Sequence, residues 1–109
     1  MSMSVTVNVV DEEDWFKKVG SPLLLAPMCD DAWALCPFDE SNYGFYRVLN
    51  HSGYPWLAIT TLHYLRRHMS TFLSSPRNSV IALQAPGVRE DFYLLPANTL
   101  CSVEMWDSS

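Results

Sequence analysis

Hydrophobic and polar residues alternate along the start of the chain. Val5, Val7 and Val9 are each separated from the next by a polar residue. This period of two is typical of a strand with one buried face. We therefore predict a strand over residues 5–10.

The segment after this strand carries the signals of a short helix. Asp11 is suited to cap a helix N-terminus, acidic residues fill the first turn, and lysines stand near the end, before Gly20. Acids at the N-terminus and bases at the C-terminus of a helix interact favourably with its dipole. The pattern predicts a helix over residues 12–19.

The longest predicted element is a second helix over residues 56–73. Pro55 suits the first helical turn, and apolar residues then recur at spacings of three and four, which places them on one face of a helix. The members of this apolar stripe are Ala58, Leu62, Leu65, Met69 and Phe72.

The remaining apolar segments are short and predict strands. Prolines interrupt residues 21–38, which favours short or edge strands there, and residues 39–43 are predicted to form a loop. The other predicted strands cover residues 44–50, 80–85, 92–95 and 99–105. Together the elements predict an α+β fold in a single compact domain (1–109), with a mostly antiparallel sheet packed against the long helix at 56–73 and with the short helix at 12–19.

Charge is divided unevenly along the chain. Eight of the twelve acidic residues and two lysines fall within the first 40 positions, for a net charge of −6, whereas the remainder carries +1. An acidic field attracts basic partners and repels nucleic acid. We therefore expect a basic protein partner and no direct binding to nucleic acid.

The composition predicts that some apolar side chains remain on the surface after one core has formed. Hydrophobic residues make up 49% of the 109 residues, aromatic residues 13% and charged residues only 17%. Aromatic side chains are enriched at protein interfaces, so a partner protein or a homodimer is expected to cover some of them.

The cysteines and histidines do not have the spacing of a metal site. Six residues separate Cys29 from Cys36, Cys101 stands alone, and His63 and His68 are five apart, whereas zinc ligands usually come in pairs two to four residues apart. The glycines are scattered singly and form no phosphate-binding loop. We therefore expect no metal, no cofactor and no catalytic residue.

The chain is expected to be cytoplasmic. It shows no secretory signal pattern and no apolar run of the length that a membrane span needs. Sparse cysteines, odd in number, favour reduced thiols over a disulfide framework.

These features favour a non-enzymatic protein-binding module. The hypothesis is a small acidic immunity or inhibitor protein that neutralises a basic toxin, for example a nuclease, by occluding its active site. The alternatives are a subunit or adaptor of a larger assembly and an enzyme that pairs Cys29 or Cys36 with His51 or His63. Partner binding is predicted for acids and interleaved aromatic residues in one segment: Asp30, Asp31, Trp33, Phe38, Asp39 and Glu40.

Overall fold

A computed structural model of the chain describes residues 3–36, 47–50, 53, 55–84 and 87–107. Five strands, three α-helices and one 3-10 turn lie in these residues. In chain order they are β1 (Met3–Val10), β2 (Lys18–Cys29), the 3-10 turn (Ala32–Leu35), β3 (Arg47–Asn50), β4 (Trp56–Thr61), α1 (Leu62–Phe72), α2 (Pro76–Leu83), α3 (Asp91–Leu94) and β5 (Leu100–Asp107).

The strands form one sheet in the order β2-β1-β5-β4-β3, and every neighbouring pair is antiparallel. The predicted α+β class with an antiparallel sheet is therefore confirmed. Pro22 and Pro27 lie in β2, at one edge of the sheet, where a missing backbone donor disturbs the ladder least.

The helices cover one face of the sheet. Alternate residues of β1 and β5, among them Val5, Val7 and Val103, point into a core that includes Leu65 and Phe72 of α1. All five of these side chains are at most 1% exposed. Burying them supplies the main driving force for folding, at about 1.5–3 kcal/mol for each large side chain.

The opposite face carries the intervening residues of the same strands. Asn8 of β1 stands directly opposite Ser102 of β5, and Ser102 stands opposite Ile59 of β4. Ile59 and Val10 are buried but lie outside the main hydrophobic cluster. Part of this face is covered by the connection between β1 and β2, which brings Trp15 and Phe16 close to the sheet.

The predicted long helix at 56–73 is wrong in its first third. Residues Trp56–Thr61 form β4, which pairs with β5, and the helix occupies only Leu62–Phe72. The β-branched run at Ile59, Thr60 and Thr61 favours the strand, and the Thr61 side chain caps the helix by accepting a hydrogen bond from the Tyr64 amide. Ala58 belongs to the strand pattern, although it fits the helical stripe.

The predicted helix at 12–19 is wrong. Residues 11–17 form a turn, and Lys18 begins β2. The side chains of Asp11 and Asp14 accept hydrogen bonds from the amides of Glu13 and Phe16, at 2.8 and 3.2 Å. Such local bonds offer the backbone an alternative to the helical ladder.

Some of the other predicted strands are confirmed and others are wrong. The strands at 5–10 and 99–105 are confirmed as β1 and β5, whereas 80–85 and 92–95 lie mostly in helices α2 and α3. Short apolar runs do not distinguish a strand from a helix, and Pro76 after the capping Ser75 starts α2. Of the predicted strand 44–50, residues 47–50 form β3; its first residues and the predicted loop at 39–43 lie outside the described residues.

Within the described part of the chain, no helix combines the length and the apolar character that a membrane span requires.

Candidate functional site

The acidic residues of the first third lie at the two ends of the sheet. Asp11 to Asp14 follow the last residue of β1, whereas Asp30 and Asp31 follow the last residue of β2, which pairs with the first residue of β1. The strand between them is about 23 Å long, at about 3.3 Å per residue. These two acidic groups therefore do not form one surface.

The first group lies in a turn that we call the acidic hairpin loop, residues 11–17. The amide of Asp11 donates to the carbonyl of Lys17 at 3.0 Å, which closes the loop. Glu12, Glu13 and Asp14 are exposed, and the side-chain hydrogen bonds that shape the loop are accepted by Asp11 and Asp14. The loop carries four acids and one lysine and so presents a net negative charge.

Large apolar side chains accompany these acids. Phe16 is 73% exposed, and Val19, at the start of β2, is 48% exposed. Exposed aromatic residues within a polar surface are typical of protein interaction sites. The hairpin end thus combines negative charge with an available aromatic anchor.

A cleft of about 440 Å³ lies beside the base of this loop, at the same end of the sheet. Its apolar wall includes Val9, Val19 and Leu23, and its rim carries an ion pair in which the Arg89 guanidinium lies 3.3 Å from the Asp91 carboxylate. Gly20 lies at its edge with a φ of 73°, a backbone conformation that glycine adopts without strain. The cleft is able to receive an apolar side chain of a partner.

At the far end of the sheet, Asp30 makes contacts that connect β2 to α2. Its carboxylate accepts a hydrogen bond from the Ser75 hydroxyl at 3.0 Å and lies 3.8 Å from the Arg77 guanidinium. Its backbone amide and carbonyl both bond to the Asn78 side chain. The charge of Asp30 is therefore partly balanced by the chain's own arginine.

Other predicted site residues at this end are exposed. Asp31 is exposed and has a φ of 44°, and Trp33 is 40% exposed with its ring edge-on to Trp56 at 5.8 Å. Met28, which the sequence did not suggest, is 54% exposed. Asp31 lies immediately before the 3-10 turn that contains Trp33; Phe38, Asp39 and Glu40 lie outside the described residues.

The three cysteines are buried free thiols. Burial is the main cause that raises the pKa of Cys29 to about 11 and that of Cys101 to about 12, and it also raises the pKa of Cys36. A cysteine nucleophile acts as the thiolate. These shifts work against the enzyme hypothesis at neutral pH.

We expect the thiols to be inert in the folded chain and to lower its stability in alkali. Their folded pKa values are raised from 9.0, so stability is full below pH 9 and falls as the pH rises toward 11. The slope is about 1.4 kcal/mol per pH unit for each thiol. Urea unfolding at increasing pH measures it, and the C29A variant should show a shallower fall; an equal fall would contradict this assignment.

The sequence prediction missed the hairpin end. The charge pattern predicts a helix for Glu12, Glu13 and Phe16, whereas the structure places them in the loop. Two aspartates three residues apart between apolar strand patterns are a signal for Asx turns, and this signal identifies the loop at Asp11 and Asp14.

Neither family models, curated proteins nor solved structures yield a match to this chain. Among the described residues, no group of three or more histidine, cysteine or acidic side chains is arranged to hold a metal ion. The functional argument therefore rests on the geometry of the chain itself.

Proposed function

We propose that the protein is a non-enzymatic binding module that docks onto a basic protein through the acidic hairpin loop. The observation that carries this proposal is the exposure of Phe16 beside Glu12, Glu13 and Asp14. Negative side chains steer a cationic partner toward the loop, and a buried aromatic anchor slows dissociation.

The most concrete form of this function is inhibition of a basic toxin, such as a nuclease, inside the cytoplasm. A nuclease binds its polyanionic substrate through lysine and arginine side chains. Carboxylates on a projecting loop offer the same side chains an alternative partner, and the loop then occludes the active site. The neighbouring cleft of about 440 Å³ gives an apolar side chain of the nuclease a place to dock.

The loop carboxylates are expected to set the rate of association. E12Q/E13Q removes two exposed loop charges, and D31N/D107N removes two exposed charges at the far end of the sheet, so both variants have the same net charge. Against a panel of basic nucleases, with inhibition of substrate cleavage as the readout, E12Q/E13Q should weaken inhibition about tenfold, mainly through slower association at low salt. D31N/D107N should leave inhibition nearly unchanged.

Two outcomes contradict the proposal. Absence of inhibition across the whole panel would rule out the nuclease-inhibitor form. An equal or larger loss in D31N/D107N would move the binding surface to the far end of the sheet, where Asp31 and Trp33 lie.

Exposed side chains on the helices favour a second candidate, a subunit of a larger assembly. Leu83 on α2 is 89% exposed, and Leu94 on α3 is 67% exposed. A second copy or a larger complex that covered these leucines would remove apolar surface from water. This candidate uses α2 and α3, so the loop variants would leave it intact, and the mass of the isolated chain by light scattering tests its homodimeric form.

A further inference from the structure

The acidic hairpin loop and the sheet border a cavity of about 220 Å³. Ser102 and Glu104 alternate along β5 with the core residues Val103 and Met105, so the cavity lies on the face of the sheet opposite the main core. Its lining residues come from the loop, from the start of β2 and from β4 and β5: Trp15, Phe16, Lys18, Leu57, Ser102 and Glu104.

The floor of this cavity carries a carboxylate. The side chain of Glu104 is 18% exposed, and its Oε2 lies 3.1 Å from the Lys18 ammonium. Its Oε1 accepts a hydrogen bond from the Trp106 indole N–H at 2.8 Å. Because a carboxylate has about four lone-pair sites, both oxygens keep acceptor capacity beside these contacts. The floor therefore suits a ligand group that donates hydrogen bonds and carries positive charge.

The walls of the cavity suit a planar cation. Trp15 and Phe16 supply aromatic surface, and the face of an aromatic ring attracts a cation within about 6 Å of its centre. The chain's own Arg47 illustrates this attraction, since its guanidinium carbon lies 5.8 Å from the centre of the Trp15 ring. The Trp15 ring is thus already a contact surface for a guanidinium group.

Lys18 holds the place of such a cation. Its side chain is 48% exposed, so its ammonium can return to water without crossing a closed core. When a second cation replaces it, Glu104 stays paired, which avoids the penalty of an uncompensated buried charge. A guanidinium group has the advantage in this exchange, because it is more weakly hydrated than an ammonium group, stacks on aromatic rings and can contact both carboxylate oxygens.

We propose that this cavity receives an arginine side chain of the basic partner, whose guanidinium group replaces the Lys18 ammonium on Glu104 and packs against Trp15 and Phe16. This inference rests on the docking function proposed above and names the group of the partner that is recognised there. The acids of the loop attract the partner over a distance, and the cavity then holds one of its arginines.

Three small probes test the chemistry of the site: the N-acetyl amides of arginine, lysine and citrulline, the last having the shape of arginine without its charge. In NMR titrations of the isotope-labelled full chain at low salt, the arginine probe should shift the signals of Trp15, Leu57 and Glu104 with a dissociation constant of about 1–5 mM. The citrulline probe should bind at least about tenfold more weakly. Equal binding of these two probes, or no shifts with arginine, would overturn the proposal, and equal binding of lysine would overturn the choice of arginine.

E104Q tests the carboxylate. The substitution removes the charge and keeps the shape of the side chain, and it should weaken binding of the arginine probe at least about tenfold. E90Q removes the same charge from an exposed residue outside the cavity and should leave the affinity within about twofold. Equal affinities in the two variants would remove Glu104 from the site.

K18M tests the exchange of cations. If Lys18 occupies the carboxylate, its removal should tighten binding of the arginine probe about threefold or more, because the binding-competent state is then fully populated. K17M is the matched control, since it removes the same charge from the exposed neighbouring lysine. Equal affinities in K18M and K17M would contradict the exchange.

Inhibition of a basic nuclease separates this inference from the function on which it rests. E104Q should weaken inhibition about tenfold, mainly through faster dissociation. A loss of inhibition in E12Q/E13Q without any loss in E104Q would overturn the arginine site and leave docking at the loop intact. Binding of the arginine probe that depends on Glu104, with no nuclease inhibited, would support the site and contradict the inhibitor function.

Discussion

N78D should lower the free energy of unfolding by about 4 kcal/mol, because the new carboxylate is buried and faces two carbonyl oxygens. Asn78 is fully buried, and its Nδ2 donates to the carbonyls of Asp30 and Phe72 at 2.6 and 2.8 Å. Its Oδ1 accepts from the Asp30 amide at 2.8 Å. One side chain thus ties the end of α1 and the start of α2 to the end of β2.

Urea unfolding measures this loss, and N98D is the matched control. Asn98 is exposed, so the same chemical change there should alter stability by less than about 0.5 kcal/mol. The loss in N78D should shrink in acid, because a protonated carboxyl group regains a donor. A loss below about 1 kcal/mol in N78D would contradict the proposed role of the three hydrogen bonds.

R66M should lower the free energy of unfolding by about 2–3 kcal/mol, the second-largest expected effect, because two charge-assisted hydrogen bonds are lost. The Arg66 guanidinium of α1 donates to the carbonyls of Phe92 and Leu95. These two carbonyls lie in α3 and immediately after it, so Arg66 fastens α3 to α1. Leu95 and Asp91 also line the cleft beside the acidic hairpin loop.

Amide hydrogen exchange locates the effect of R66M. Exchange should speed up over residues 91–95 more than in β1 or β5, since α3 loses its attachment while the sheet remains intact. R66K keeps the positive charge but lacks the planar guanidinium group. Its free energy of unfolding should lie between those of the unsubstituted chain and R66M. Uniformly faster exchange over the whole chain, or a loss in R66K equal to that in R66M, would contradict this account.

The sequence predicts the parts of the fold in which local pattern and burial agree. The alternation at Val5, Val7 and Val9 predicts β1 because one face of that strand is core. The stripe from Leu62 to Phe72 predicts α1 for the same reason, since its apolar members are buried. The predicted extension of this helix back to residue 56 is wrong. Ala58 fits the periodicity of a helix and that of a strand, and its pairing with Val103 of β5 places it in the strand.

The site is less predictable because its residues depend on long-range packing. Aspartates such as Asp11 and Asp14 are common both at helix N-termini and in turns. Here the turn forms because β2 pairs with β1. Ser102 becomes part of a cavity only when the loop folds over β5. The distance between the two acidic groups follows from the hairpin register, which the charge pattern along the sequence does not encode.

We propose that a basic partner binds at the acidic hairpin loop. The most direct measurement is a map of the backbone amide signals that shift when the isotope-labelled chain is titrated with a basic nuclease that it inhibits. We predict that the shifts concentrate in residues 11–20 and in the neighbouring cleft. Shifts confined to residues 28–33, with residues 11–20 unchanged, would contradict the claim.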